Sequence, residues 1–89
     1  MQAWGVFGMK SFEVSIDEIY VPAGKRKAIS PERVEALAAD ILEKGQVTPV
    51  QVRLGKERYV LIEGGHRIEA LKALGEDIVI ARLVQARKH

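Results

Sequence analysis

The chain contains no cysteine, which excludes disulfides, thiolate zinc sites and any chemistry carried by a sulfur nucleophile. It also lacks an uninterrupted apolar run of about 18 residues, the length a membrane-spanning helix needs. Its first ten residues do not show the basic region, apolar region and cleavage site of a secretory signal. A cytoplasmic location with no membrane partner is therefore expected. Nor is there a strong excess of one charge: 14 basic against 12 acidic residues leave a net charge of +2, too little by itself to imply a polyanionic partner. The placement of charge says more. Basic residues gather at Lys25, Arg26 and Lys27, and again at Arg82, Arg87 and Lys88, whereas acidic residues are scattered. With 89 residues there is room for one compact domain and no second. Residues 1–10, in which Trp4 and Phe7 stand among glycines, read as an N-terminal extension without assigned function, so the domain is taken as residues 11–89.

Hydrophobic periodicity divides that domain into segments. Phe12, Val14 and Ile16 alternate with Glu13 and Ser15, the period of a half-buried strand over residues 12–16. Residues 17–22 read as a turn, leading into a polar loop, Ala23–Lys27, with a flexible entry at Gly24. Ser30, Pro31 and Glu32 form a helix-start signature: a capping hydroxyl, a proline where no amide is needed, and an acid in the first turn. Val34, Leu37, Ala38, Ile41 and Leu42 then fall on one stripe, and Gly45 supplies a stop, predicting a helix over Pro31–Lys44. Val50, Val52 and Leu54 alternate with polar neighbours and are separated by Gly55, Lys56, Glu57 and Arg58 from the apolar residues 59–62, which predicts a hairpin. A second helix of about nine residues, with Ile68, Leu71 and Leu74 inward, should end at Gly75. Residues 78–84, rich in β-branched side chains, predict a fourth strand. The expected fold class is α+β, in the order β-α-β-β-α-β: a small mixed sheet with helices packed on it.

The stretch most informative about function is Glu63-Gly64-Gly65-His66-Arg67, a strand end, a glycine turn and a helix start. Glycines allow a sharp turn and close approach of the backbone to a ligand, and the first amides of a helix have no internal acceptors. The helix macrodipole prefers acids in a first turn, so His66 and Arg67 there call for another reason, and a bound phosphate supplies one.

Three segments together resemble the ParB N-terminal/sulfiredoxin superfamily: residues 30–41, residues 45–52, and residues 59–71 with the glycine turn. The resemblance covers roughly residues 12–84. It implies a ParB/sulfiredoxin-like fold and a nucleotide site at the turn. ParB partition proteins carry Gly-Glu-Arg-Arg there and sulfiredoxins Gly-Cys-His-Arg; the matching residues are Gly64, Gly65, His66 and Arg67. Gly65 thus stands where both groups place their reactive side chain. Sulfiredoxin activity is excluded by the missing cysteine, while the phosphate-holding part is retained. Arg33 stands at the place of a nucleotide-contacting lysine of sulfiredoxin, and Ala36 and Asp40 at the place of a polar pair on the same helix. Free serine kinases, which belong to the same superfamily, carry an acid before the turn, and Glu63 stands there.

The resemblance implies a stand-alone module that binds a nucleoside triphosphate through Gly64, Gly65, His66, Arg67 and Arg33 and serves plasmid or chromosome partition or another DNA-associated role. ATP or ADP is expected ahead of CTP, with magnesium. The alternative is an enzyme: a small-molecule kinase of the free-serine-kinase kind, or a weak ATPase or nuclease, with Glu63 as a metal-associated general base and Asp40 as a competitor for that role. Lys25, Arg26 and Lys27 are read as a solvated loop, a lid over nucleotide phosphates, or a nonspecific DNA contact. No recognition helix for reading DNA sequence is expected within these residues, and exposed sheet edges leave homodimerisation open.

Overall fold

In the computed structural model residues 11–84 are described. The expected extension at residues 1–10 and the terminal Arg87, Lys88 and His89 lie outside them. In chain order the elements are β1 (Ser11–Ser15), a 3-10 turn (Ile16–Glu18), β2 (Ile19–Tyr20), α1 (Ala23–Lys27), α2 (Pro31–Lys44), β3 (Val50–Leu54), β4 (Tyr59–Glu63), α3 (Gly65–Ala73) and β5 (Ile78–Leu83). The five strands form one sheet in the order β1-β5-β3-β4-β2. The pairs β1/β5 and β3/β4 are antiparallel, whereas β5/β3 and β4/β2 are parallel, so the sheet is mixed as expected. It also curls: Phe12 on β1 and Tyr59 on β4 are separated by two intervening strands, yet their rings lie 5.5 Å apart.

Alternation along the strands turns Val14, Val50, Val52, Leu61, Val79 and Ala81 to one face, where Ile41 of α2 and Ile68, Ala70 and Leu71 of α3 complete the core. Leu61, Ile68, Val50, Val52 and Val79 are the largest fully buried side chains. Burying each contributes about 1.5–3 kcal/mol relative to exposure. The two long helices have the predicted ends. Ser30 Oγ accepts the amide of Arg33 at 3.4 Å and Pro31 occupies the first turn of α2, which closes at Gly45 with φ 77°. At the end of α3, Glu76 N–H donates to Leu71 O (2.9 Å) and Gly75 N–H to Lys72 O (3.0 Å), the paired bonds of a helix stop built on a left-handed glycine, here with φ 81°.

The structure departs from sequence expectation in four places. Residues 17–22 hold a short strand as well as a turn: Ile19 and Tyr20 pair in parallel with Tyr59 and Val60, making a fifth strand that two residues could not announce by periodicity. Ala23–Lys27 is a single helical turn instead of a polar loop, with Arg26 N–H bonded to Pro22 O at 3.0 Å. Leu42 leaves the expected stripe of α2 and is 75% exposed, in the last turn of α2, where none of the described elements covers it. Leu54, at the end of β3, is exposed as well. One tie has no backbone origin. The amide of Gln46 accepts from Ile80 N–H and donates to Ile80 O, both at 2.9 Å, extending the ladder of β5 where β3 has not yet begun.

Candidate functional site

The end of β4, the glycine turn and the starts of α2 and α3 surround a groove of about 530 Å³, within the size range of small-molecule sites. Gly64 is the hinge. It sits at φ 115°, ψ 23°, and a Cβ there would lie 2.6 Å from Val50 Cγ1 and 2.8 Å from Val50 Cβ. Both the left-handed backbone and the packing therefore demand glycine. Gly65 differs: a Cβ would meet the terminal methyl of Ile29 at 3.1 Å and Leu61 Cδ2 at 3.7 Å, so a side-chain stub is opposed only by the far end of a flexible residue.

The first hydrogen bond of α3 runs from Ile68 N–H to Gly64 O at 3.0 Å. The amides of Gly65, His66 and Arg67 precede it and have no intrahelical acceptor, and the cap residue Gly64 offers no side chain to take one. Three amides thus open at one wall of the groove. Arg67, half-buried, adds a guanidinium there. Burial pushes its pKa below the ordinary value and the charge of Asp40 acts the other way, yet no carboxylate lies within 4.0 Å of it among the described residues. Asp40 is instead paired with Lys44 at 3.2 Å.

His66 has a different part. Its Nε2 accepts the amide of Ser30 at 3.0 Å, so that nitrogen carries no proton and the imidazole is neutral, with Nδ1–H left as its donor. The ring fastens the start of α3 to the start of α2 across 36 positions of sequence. The two adjacent cations expected from the sequence are, in this geometry, one cation and one neutral donor.

The structure brings Arg33, Glu63, Gly64, Gly65, His66 and Arg67 to the same groove and divides the basic segment. Lys25 lines the groove, with Nζ 4.0 Å from Glu63 Oε2. Both side chains are largely exposed, so the contact contributes little stability and leaves the lysine free to follow an anion. Arg26 faces a second groove beside Tyr20, and Lys27 lines neither. Ala36 is exposed, away from the site. Sequence reasoning missed Ala28, Ile29, Leu37, Thr48, Pro49 and Gln51 as lining. Only Gln51 carried a usable signal, a polar residue facing away from the core in an alternating strand. Its position comes from a bulge: Gln51 pairs with Glu63 but Val52 with Leu61, so Ile62 has no partner and the strand end is re-aimed toward the groove.

These features define an α+β domain with a groove at a strand-turn-helix junction, lined by Lys25, Arg33 and Arg67. Residues 7–89 match the model of the ParB N-terminal domain, and the chain belongs to that family. A probable chromosome-partitioning protein ParB of Campylobacter jejuni is 34% identical over 73 residues, which are 81% of this chain and 26% of that protein. Among solved structures, a ParB of Caulobacter crescentus, C-terminally truncated and complexed with CTP-gamma-S, superposes with a TM-score of 0.73 at 26% identity, over 88% of this chain and 46% of the other. Sulfiredoxin of Arabidopsis thaliana superposes with a TM-score of 0.76 at 22% identity, over 85% of each chain, which shows a shared fold. The chain spans about a quarter of the length of the curated relative it matches.

Proposed function

We propose that the groove binds a nucleoside triphosphate, as the nucleotide-binding domain of a partition-type, DNA-associated protein. The observation that carries this reading is Arg67: a half-buried guanidinium without a carboxylate in contact, beside three helix-start amides that lack acceptors. An anion there would offset the cost of desolvating the charge. The amides and Arg67 would hold phosphate oxygens, His66 Nδ1–H would donate to one, and Arg33 and Lys25 would close over the remainder. Support for a nucleotide over a simple anion comes from the groove volume and from the CTP-gamma-S on the Caulobacter relative. Among the described residues Glu63 is the one carboxylate that lines the groove, so a magnesium ion would be held chiefly by phosphates and water, its common mode of binding.

Calorimetric titration with CTP, ATP, ADP and GTP, with and without magnesium, tests the reading. At least one nucleotide should bind, and Arg67→Ala should weaken it by about 10- to 100-fold, the loss expected for charge-assisted bonds. No binding by any nucleotide, or equal binding by the variant, would overturn it. The choice among bases, with ATP or ADP first on the sequence resemblance and CTP first on the Caulobacter structure, is settled by the same titration. An enzymatic reading rests on Glu63, the acid at the groove beside Gly64. Gly65 has no side chain to react, and Ile29 occupies the space in front of it. Phosphate release or transfer to a hydroxyl acceptor should then fall in Glu63→Gln while nucleotide affinity is kept; turnover unchanged by that variant removes Glu63 from any catalytic role.

A further inference from the structure

A second cationic surface lies outside the groove at the glycine turn. β2 lies at the edge of the sheet, and its Tyr20 is 37% exposed. Two shallow depressions meet at this ring. One, of about 290 Å³, takes Arg26 from α1, Lys72 from α3 and Arg58 from the β3–β4 turn. The other, of about 570 Å³, shares Tyr20 and Arg58 and adds Arg53 and Lys56. The guanidinium carbon of Arg58 sits 4.4 Å from the centroid of the Tyr20 ring, a cation–π distance.

Among the described residues, five cations here face three carboxylates, Asp17, Glu57 and Glu69. Lys72 alone is in an ion pair, with Glu69 at 3.4 Å; Arg26, Arg53, Lys56 and Arg58 have no carboxylate within 4.0 Å among the described residues. The outer groove between α2 and α3 is lined by Glu32, Glu35 and Glu69, the last shared with the first depression, and among the described residues by no cation. A solvated surface usually intersperses its charges. Here the unpaired cations come from separate elements, α1, β3 and the β3–β4 turn, and are brought together only by the fold.

We infer that this edge binds single-stranded nucleic acid, with phosphates along Arg26, Arg53, Lys56 and Arg58 and a base against Tyr20. The cations are spread over two successive open depressions instead of one pocket, which suits a polyanion of repeating charge more than a single ion. An exposed aromatic ring among them suits an unpaired base, and stacking of this kind tolerates any sequence. A duplex keeps its bases within its own stack and would meet only the cations. Phosphate contacts make such binding steeply salt-dependent.

Fluorescence anisotropy of the whole chain with labelled 20-nucleotide single strands, DNA and RNA, and with the matching duplex, tests the inference at 50 and 200 mM salt. Single strands should bind more tightly than the duplex, and affinity should fall by tenfold or more over that salt range. The double variant Arg26→Glu/Arg58→Glu should lose at least tenfold in affinity, and Tyr20→Ala about tenfold for single strands with little change for duplex. Tyr20→Phe, which keeps a stacking face and guards against a folding defect, should restore binding. Nucleotide titration at the glycine turn should be unchanged in all of these variants, so the two sites fail or stand independently. Equal binding of wild type and double variant, equal loss for Tyr20→Ala on single strand and duplex, or polyglutamate competing as well as DNA would overturn the assignment.

Discussion

Two helices begin at the same groove and are built in opposite ways. The start of α2 satisfies itself: Ser30 Oγ caps the Arg33 amide, Pro31 removes one amide altogether, and Glu32 complements the dipole. The start of α3 leaves itself open, with glycine as its cap, no acid in its first turn, and Arg67 facing the groove. A helix that only had to be stable would resemble the first. The second gives up those local gains, each worth about 0.5–2 kcal/mol, and what it offers in exchange is a set of free donors. His66 joins the two through the Ser30 amide, so the self-contained start serves as the anchor for the open one.

That contrast can be broken by substitution. The largest effect should come from Gly64→Ala, which strains a φ of 115° and drives a methyl into Val50; a loss of about 3 kcal/mol or more is expected from the two penalties together, measured by urea denaturation. His66→Ala should cost about 1–2 kcal/mol, because a part-buried amide of Ser30 loses its acceptor, and should weaken nucleotide binding as well. Ser30→Ala separates the two helix starts: it removes the cap but keeps the Ser30 amide bonded to His66, so about 1 kcal/mol of stability should go with nucleotide affinity nearly intact. Gly65→Ala should change stability by less than about 1 kcal/mol, since only the tip of Ile29 must yield and alanine suits a helix better than glycine. A large loss there would show that the second glycine is as constrained as the first. The smallest effect is expected for Asp40→Asn. It removes the one acidic charge named as acting on Arg67, and nucleotide affinity should rise by about two- to threefold, a surface-scale electrostatic change.

Much of the scaffold was legible in advance, since its signals are local. The cap and stripe of α2, the nine residues of α3 and its glycine stop, the β3–β4 hairpin and the last strand all appear close to where periodicity and turn residues put them. The glycine turn was legible as a strand-to-helix junction for the same reason. What escaped was short or nonlocal. β2 has two residues and owes its extended form to pairing with β4; α1 is one turn containing a glycine; Gln46 acts as a surrogate strand for Ile80, which is 34 positions away. In the site, the neutral form of His66 could not be foreseen, because it depends on a partner amide brought in by another helix.

The division between the two sources follows from the range of the forces involved. By itself the sequence determined the α+β class, the positions of both long helices, the absence of any cysteine chemistry, and a glycine turn between a strand and a helix at residues 64 and 65. The tertiary structure decided which of the three consecutive cations at residues 25–27 reaches the groove, that Arg67 is half-buried without a contacting carboxylate, and that His66 accepts before it donates. Backbone preference and periodicity act within a few residues and can be read along the chain. Burial, charge compensation and the choice of hydrogen-bond partner depend on segments that meet only after the sheet has curled around them.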